Sequence, residues 1–279
     1  MTAAMPPLAP LLMIASGSVH AIVNAIVKGG RDKMAGRALT DGSSAIIMLP
    51  ATLLVPLPAG AWGWIVASAV IHGFYLWALV RAYQVGDLSA AYPVMRGTAP
   101  LLTALVTLGL LGEPASGQEI AGIALIGGAM FVMISGRHLG RAALGWAIAT
   151  GVCIAGYTVV DAHGVRAAPG PESYIVWLFV VMGGVVVAMF GIATRGAVFA
   201  AAVRQWQPGV IAGALSIVTY GMALWAFSLG PTAPLSALRE TGMVTALLIS
   251  VVALNERATR GRIAAVLGIL AGAALILSA

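Results

Sequence analysis

The stretch AAYPVMRGTAPLLTALVTLGLLGEP, residues 90–114, decides the fold. Its apolar run matches the roughly 20 residues that a helix needs to cross a bilayer, yet Arg96 lies well inside it. The stretch APLSALRETGMVTALLISVVALNER, residues 233–257, has the same character. An offset of 143 residues aligns the two without gaps and pairs Arg96 with Arg239 and Glu113 with Glu256. Because only 9% of the chain is charged, these matches indicate an internal repeat.

Composition around the two stretches excludes a soluble protein. Of 279 residues, 60% are hydrophobic, and the mean hydropathy is +0.99. A soluble domain needs about a quarter of its residues charged. The net charge of +6 does not indicate nucleic-acid binding, because the Lys and Arg residues stand at helix ends rather than in a patch. The single cysteine, Cys153, excludes a disulfide-rich secreted scaffold.

Apolar runs separated by charged residues or by Gly and Pro predict an all-α integral membrane protein. Each half would carry five helices, an odd number, so the halves, residues 1–136 and 137–279, would form two inverted five-helix repeats. Inverted repeats are a transporter architecture with the substrate near the middle of the membrane. The ten predicted transmembrane helices are Leu8–Val27, Ser43–Pro58, Trp62–Val80, Leu88–Leu111, Gly117–Ser135, Ala142–Val160, Ser173–Ala193, Pro208–Leu229, Ala233–Leu254 and Ile263–Ala279.

The distribution of Lys and Arg predicts the orientation. Twelve lie in or beside the connections that follow odd-numbered helices, whereas Arg166 alone lies on the opposite side. Cytoplasmic loops carry the excess of positive charge. We therefore expect the connections after odd-numbered helices in the cytoplasm and both termini outside it.

Several motifs resemble those of the EamA-type members of the drug/metabolite transporter superfamily. The sequence AYQVGDLSAAYP, residues 82–93, leads into Arg96 and closes at LGE, residues 111–113. The second half echoes it with LRET, residues 238–241, and LNE, residues 254–256. The resemblance implies ten helices in the bacterial inner membrane, alternating access, and a central cavity lined by predicted helices 1, 3, 4, 6, 8 and 9. Family members are usually drawn with both termini cytoplasmic, and here the charges predict the reverse.

Arg96 and Arg239 are the first candidate site residues. A charge near the bilayer centre costs about 2.5–3.5 kcal/mol on insertion scales, so it needs a partner or a wet cavity. Both arginines could anchor an anionic group of a substrate. The alternative is that each neutralises a fixed acid, Asp161 or Glu240, and only stabilises the bundle. The two acids leave a similar choice open: either could carry a coupling proton or bind a substrate ammonium, or could serve in a structural ion pair.

Further candidates are polar and aromatic. His20 and Asn24 recur at a spacing of four, on one face of the first helix, and such a stripe points to a cavity. His20 is expected to be a buried hydrogen-bonding group rather than a metal ligand, because no second His or Cys has coordinating spacing. Aromatic residues could line the cavity or form interfacial belts. Those assigned to the site are Tyr83, Tyr92, Tyr157, Tyr220 and Trp225.

These observations predict a secondary transporter of a small polar or zwitterionic metabolite. Alternatives are an exporter of lipophilic or cationic drugs and a non-transporting receptor or assembly subunit. No Walker, dinucleotide-binding or HExxH motif is present, so we expect no enzyme activity, cofactor or metal. The expected partners are the substrate, the lipid bilayer and, if coupling occurs, a proton. The sequence predicts no particular oligomeric state.

Overall fold

The computed structural model describes residues 5–28, 33–85, 88–134, 139–204, 206–252 and 258–279. Within these ranges the chain is helical and contains no β-strand. The α-helices are α1 (Leu8–Lys28), α2 (Lys33–Met48), α3 (Trp62–Val85), α4 (Leu88–Ala104), α5 (Gly117–Val132), α6 (Arg141–Ala167), α7 (Pro171–Ala193), α8 (Ala197–Val203), α9 (Trp206–Leu229), α10 (Thr232–Leu238), α11 (Gly242–Val252) and α12 (Arg260–Leu277).

Several of these segments are suited to a membrane. In the described ranges, seven are long and apolar enough to cross one: Trp62–Ala82, Ala90–Leu110, Arg141–Ala167, Pro171–Ala193, Trp206–Leu229, Thr232–Val252 and Arg260–Leu277. Leu8–Val23 and Gly117–Val132 are shorter apolar helices. The protein is therefore a multi-pass membrane protein.

The second helix is the clearest error of the sequence-based prediction. Helix α2 lies some ten residues before the predicted range Ser43–Pro58 and is followed by a 3-10 turn that contains Pro50. Thr40, which lies in the range predicted as a connection, is buried within the bundle. The hydroxyl of Ser44 donates to the carbonyl of Thr40 at 2.7 Å and to that of Gly213, in α9, at 3.1 Å. The short helix α8 was not predicted either.

Two predicted helices are interrupted. The predicted helix Ala233–Leu254 corresponds to the span Thr232–Val252, in which α10 ends before a 3-10 turn, Arg239–Thr241, and α11 begins after it. The hydroxyl of Thr241 donates to the carbonyl of Leu238 at 2.7 Å, a local bond of the kind that competes with helical pairing. In the other half, α4 continues into a π-helical turn, Leu105–Leu110. Broken helices of this kind occur where a transporter binds its substrate.

Small residues bring the helices together. Helix α1 packs on α9, α3 on α6, α2 on α7 and α9, α4 on α6, and α5 on α12. At the α5–α12 contact, a Cβ atom on Gly122 would lie 2.6 Å from the carbonyl oxygen of Gly272, so only glycine permits this approach. The backbone of Gly17 in α1 meets that of Gly242 equally closely, directly after the 3-10 turn.

Candidate functional site

Two buried guanidinium groups define the site. Arg96 lies in α4 between Pro93 and Pro100, and Arg239 opens the 3-10 turn between α10 and α11. Their side chains are enclosed by protein, since Arg96 is 6% exposed and Arg239 7%. The turn also carries Glu240, which is 3% exposed. The interruption of the helix therefore presents a cation and an acid side by side.

The ion pair joins the two halves of the chain. Nε of Arg96 lies 2.9 Å from Oε2 of Glu240, although the N–H group does not point at that oxygen, so the contact is an ion pair without an aligned hydrogen bond. Among the described residues, no carboxylate oxygen lies within 4 Å of Arg239. Its guanidinium carbon instead lies 5.2 Å from the ring centre of Tyr220, a cation–π contact.

A small cavity opens between these groups. The space open to the centre of a water molecule is about 10 Å³, room for about one water. Four polar atoms on its lining residues are buried and have no hydrogen-bond partner in the described part of the chain: Arg96 Nε, Thr103 Oγ1, Arg239 Nε and Glu240 Oε2. The remaining lining residues are Ala99, Pro100, Ile154, Thr158, Phe227 and Ser236.

Unsatisfied buried polar atoms are uncommon and costly in folded proteins. Two of these four atoms, Arg96 Nε and Glu240 Oε2, form the ion pair, so the cavity is lined by charged groups whose hydrogen-bonding capacity is incompletely used. The lining comes from α4, α6, α9, α10 and the 3-10 turn, and therefore from both halves of the sequence. In this conformation the cavity is closed around the guanidinium groups, so anything larger than a water requires the surrounding helices to separate.

Asp161 lies apart from the arginines. It is completely buried in α6 and accepts hydrogen bonds from the hydroxyls of Tyr174, at 2.7 Å, and Tyr220. In the described part of the chain, no Lys, Arg or His nitrogen comes within 4 Å of it. The sequence left open whether each of the two acids pairs with an arginine. Glu240 is paired with Arg96, whereas Asp161 accepts hydrogen bonds from neutral donors.

Aromatic rings fill the space between Asp161 and the guanidinium groups. The imidazole of His72 stacks on the ring of Tyr157 with 4.0 Å between centroids. Tyr75 and Tyr220 each meet Tyr157 edge to face, at 5.7 Å and 6.1 Å. The Tyr220 side chain contacts both Asp161 and Arg239, so it connects the buried acid with the cavity.

The other predicted site residues fall in different places. Tyr92 lies one helical turn before Arg96, on the same face of α4. His20 shares a face of α1 with Gly17, which touches the chain at the 3-10 turn.

Trp225 is 40% exposed and does not join the cluster. The side chains of Asn24 and Tyr83 lie outside the described residues.

Sequence reasoning did not assign His72 and Tyr75 to the site, although a signal was available. Ser68, His72 and Tyr75 follow one another at spacings of four and three along α3, the pattern that singled out His20 in the first helix. Thr103, Thr158 and Ser236 gave no such signal, because single hydroxyls are common in apolar helices.

A second polar network lies at one end of the bundle. Arg166, near the end of α6, donates to Glu113 at 2.9 Å and to the carbonyls of Phe227 at 2.9 Å and Gly230 at 2.6 Å. Glu113 also accepts from the backbone N–H of Thr232 at 2.9 Å, and so caps α10. Burial alone would raise the pKa of Glu113, but the hydrogen bonds from Arg166 and Thr232 outweigh it and hold that pKa below its ordinary value.

Comparisons with known proteins agree with this architecture. Residues 141–278, almost half of the chain, match the model of the EamA-like transporter family. None of the curated proteins compared with the chain matches it. A crystal structure of another protein, 20% identical in sequence, covers 96% of this chain and 97% of its own with a TM-score of 0.69. At that identity the likeness concerns the fold alone.

Proposed function

We propose that the chain, whose residues 141–278 match the EamA-like transporter family, is a secondary active transporter of a small polar or zwitterionic metabolite. The observation that carries the proposal is the small cavity lined by Arg96, Arg239 and Glu240, which places two buried cations and one buried anion around the same space. Two guanidinium groups suit the carboxylate or phosphonate of a substrate. The carboxylate of Glu240 suits an ammonium group on the same molecule.

The ion pair supplies a mechanism for binding. In this structure the carboxylate of Glu240 is paired with the guanidinium group of Arg96, with 2.9 Å between Oε2 and Nε. A substrate carboxylate that replaces it would free Glu240 to take the substrate's ammonium group. This exchange keeps the buried charges of Arg96 and Glu240 compensated, which a membrane interior requires. A molecule with only one of the two groups would leave a charge unpaired.

An inverted-repeat architecture, residues 1–136 and 137–279, supports alternating access. An offset of 143 residues relates α3 to α9, α5 to α12 and the span Ala90–Leu110 to Thr232–Val252. The packing agrees with a repeat, because α1 packs on α9 as α6 packs on α3. We expect the two repeats to exchange conformations around the arginines. From the charge distribution we expect a protein of a bacterial inner membrane with both termini outside the cytoplasm.

Transport of cationic drugs is the second candidate, and the aromatic cluster favours it. The rings of Tyr75, Tyr157 and His72 provide the surface that such drugs prefer. Two arginines at the cavity oppose it, because one face of Tyr220 is already occupied by the Arg239 guanidinium. A polar, mixed-charge substrate therefore fits the cavity better.

The test combines binding and flux. Thermal shifts of the purified protein with amino acids, phosphonates and cationic drugs identify the ligand class, since a ligand stabilises the state that binds it. Counterflow of the radiolabelled hit is then measured in liposomes. Arg239→Ala should abolish flux, whereas Arg204→Ala, an exposed position after α8, should not. Flux that persists in a folded Arg239→Ala variant refutes the site, and binding without flux indicates a receptor.

A further inference from the structure

Asp161 is a buried carboxyl group without a cationic partner. Both oxygens accept hydrogen bonds, Oδ1 from Tyr174 in α7 at 2.7 Å and Oδ2 from Tyr220 in α9. The Ser68 hydroxyl of α3 also faces this carboxyl group. All three partners are neutral donors. A group that is removed from water and has no opposite charge beside it exists most readily in its neutral form, which for a carboxylate means binding a proton.

Binding a proton changes the contacts of Asp161. An ionised carboxylate only accepts hydrogen bonds, whereas the acid has one O–H group that donates. The new O–H group needs an acceptor, and one of the neighbouring hydroxyls supplies it by turning from donor to acceptor. Tyr220 is the one whose movement has consequences, because its ring carries the Arg239 guanidinium at 5.2 Å.

We propose that Asp161 is the proton-binding site of this transporter and that Tyr220 couples its protonation to the arginine pair at the cavity. The inference rests on the proposed transport function and adds the coupling ion to it. The proton comes from water on one side of the membrane, binds a carboxylate oxygen of Asp161, and returns to water on the other side. No other reactant is needed.

The net charge of the buried groups determines whether proton binding strengthens or weakens the binding of an anion. With Asp161 ionised, the two guanidinium groups are balanced by Glu240 and Asp161, so these four groups sum to zero. With Asp161 protonated, the sum is +1, and the cavity attracts an anionic group more strongly. Proton binding and anion binding then favour each other, and this linkage is reciprocal.

Other titratable groups surround the acid and must be separated from it experimentally. His72 faces it from α3, Tyr174 from α7, and Tyr157 from its own helix one turn earlier. The nearest described cations are Arg96 in α4 and Arg239. Only a protonated carboxylic acid has an isolated C=O stretch, so infrared spectroscopy distinguishes Asp161 from the histidine and the tyrosines.

The first experiment is an infrared pH titration of the full chain in phosphatidylcholine vesicles. A carboxylic-acid band should appear as the pH falls, and aspartate labelled with ¹³C at its side chain should shift it, which excludes the glutamates. Asp161→Asn should remove the band, whereas Glu240→Gln should retain it. The proposal is overturned if the label shifts no titrating band, or if the Asp161→Asn variant, shown to be folded, retains the whole of it. The label reports on every aspartate of the chain, including the buried Asp41 of α2, so Asp41→Asn is the matched control and should retain the component that Asp161→Asn removes.

The second experiment tests the coupling. Arg239→Gln removes the positive charge that lies over the ring of Tyr220, whose hydroxyl donates to Asp161, so the acid should bind its proton at a higher pH. At the wild-type midpoint, where half of the acid is protonated, the Asp161 band should therefore grow by up to twofold relative to wild type, and Arg204→Gln should leave it unchanged. Tyr220→Phe should reduce the response to Arg239→Gln. An equal response with and without the Tyr220 hydroxyl contradicts the coupling role.

These measurements need no substrate, so their failure is distinct from failure of the transport proposal. If Asp161 does not titrate while Arg239→Ala abolishes flux, the proton site is wrong and transport stands. If Asp161 titrates in vesicles that show no flux of any stabilising ligand, the transport proposal fails, and with it the role of the proton as a coupling ion.

Discussion

At the scale of single residues, the buried pair of Arg96 and Glu240 sets the strongest energetic constraint. Removing one partner of a buried ion pair typically costs about 3–5 kcal/mol, because the other charge remains uncompensated. We expect Glu240→Gln to lower the thermal unfolding midpoint in detergent by this mechanism. The double variant Arg96→Gln, Glu240→Gln should recover much of the loss. Arg239→Gln should cost less than either single change, and strictly additive losses would contradict the pairing.

Glu113 gives a prediction about pH. Its carboxylate lies outside the spans, and Arg166 and Thr232 hold its pKa below the ordinary value of 4.5. The stabilisation is therefore complete above that value and is lost as the pH falls through the lowered pKa. For a partly exposed pair we expect at most about 1 kcal/mol, a shift of about 2–4 °C in Tm.

The measurement compares Tm between about pH 6 and pH 3 for wild type and Glu113→Gln. The variant should start lower and lose less on acidification. Glu172→Gln, an exposed carboxyl at the start of α7, is the control and should follow the wild type. A parallel fall in wild type and Glu113→Gln would show that this network does not contribute.

At the scale of helices, the approach of α5 to α12 can be tested with two glycines of one helix. A Cβ on Gly122 would lie 2.6 Å from the carbonyl oxygen of Gly272, while one on Gly128 would meet nothing within 4 Å. Gly122→Ala should therefore destabilise by about 1–3 kcal/mol through overpacking. Gly128→Ala should be neutral or stabilise by up to about 1 kcal/mol through helix propensity. Thermal unfolding of both variants is the measurement, and equal effects would contradict the close contact.

Hydropathy predicted most membrane helices because a span must be apolar whatever it packs against. It failed at the start of α2, in the range predicted as a connection, where the hydroxyl of Thr40 is buried and donates to the carbonyl of Gly36 within the helix. It also missed the break at Arg239, because whether a helix continues through an apolar run depends on the neighbouring helix α1 and on the local hydroxyl bond of Thr241.

The site was partly visible for a related reason. Arg96, Arg239 and Glu240 stood out because a charge in an apolar span needs a partner, and the structure brings them together. An aromatic residue in a membrane span needs no charged partner. Tyr220, inside the cluster, and Trp225, on an exposed face, could therefore not be told apart before the helix orientations were known.

At the scale of the whole molecule, the proposed alternating access requires that one end of the bundle opens, and we expect the contacts around Arg166 to break when it does. Glu113 joins the connection between α4 and α5 to the start of α10 through Thr232, at 2.9 Å. Gln118 and Ser278, at 2.7 Å, join α5 to α12 near the same end. The first contact links parts that must separate for the cavity to open, whereas the second links two helices packed through glycines.

Cross-linking these two contacts tests alternating access directly. In a Cys153→Ser background, a short bifunctional thiol reagent across Glu113→Cys and Thr232→Cys should hold the end closed and abolish liposome flux. The same reagent across Gln118→Cys and Ser278→Cys should leave most flux intact, because α5 and α12 move together. A cleavable reagent should restore transport when it is reduced. Full flux through the first cross-link would mean that this end never opens, since a cavity with room for about one water admits no metabolite from elsewhere without another path.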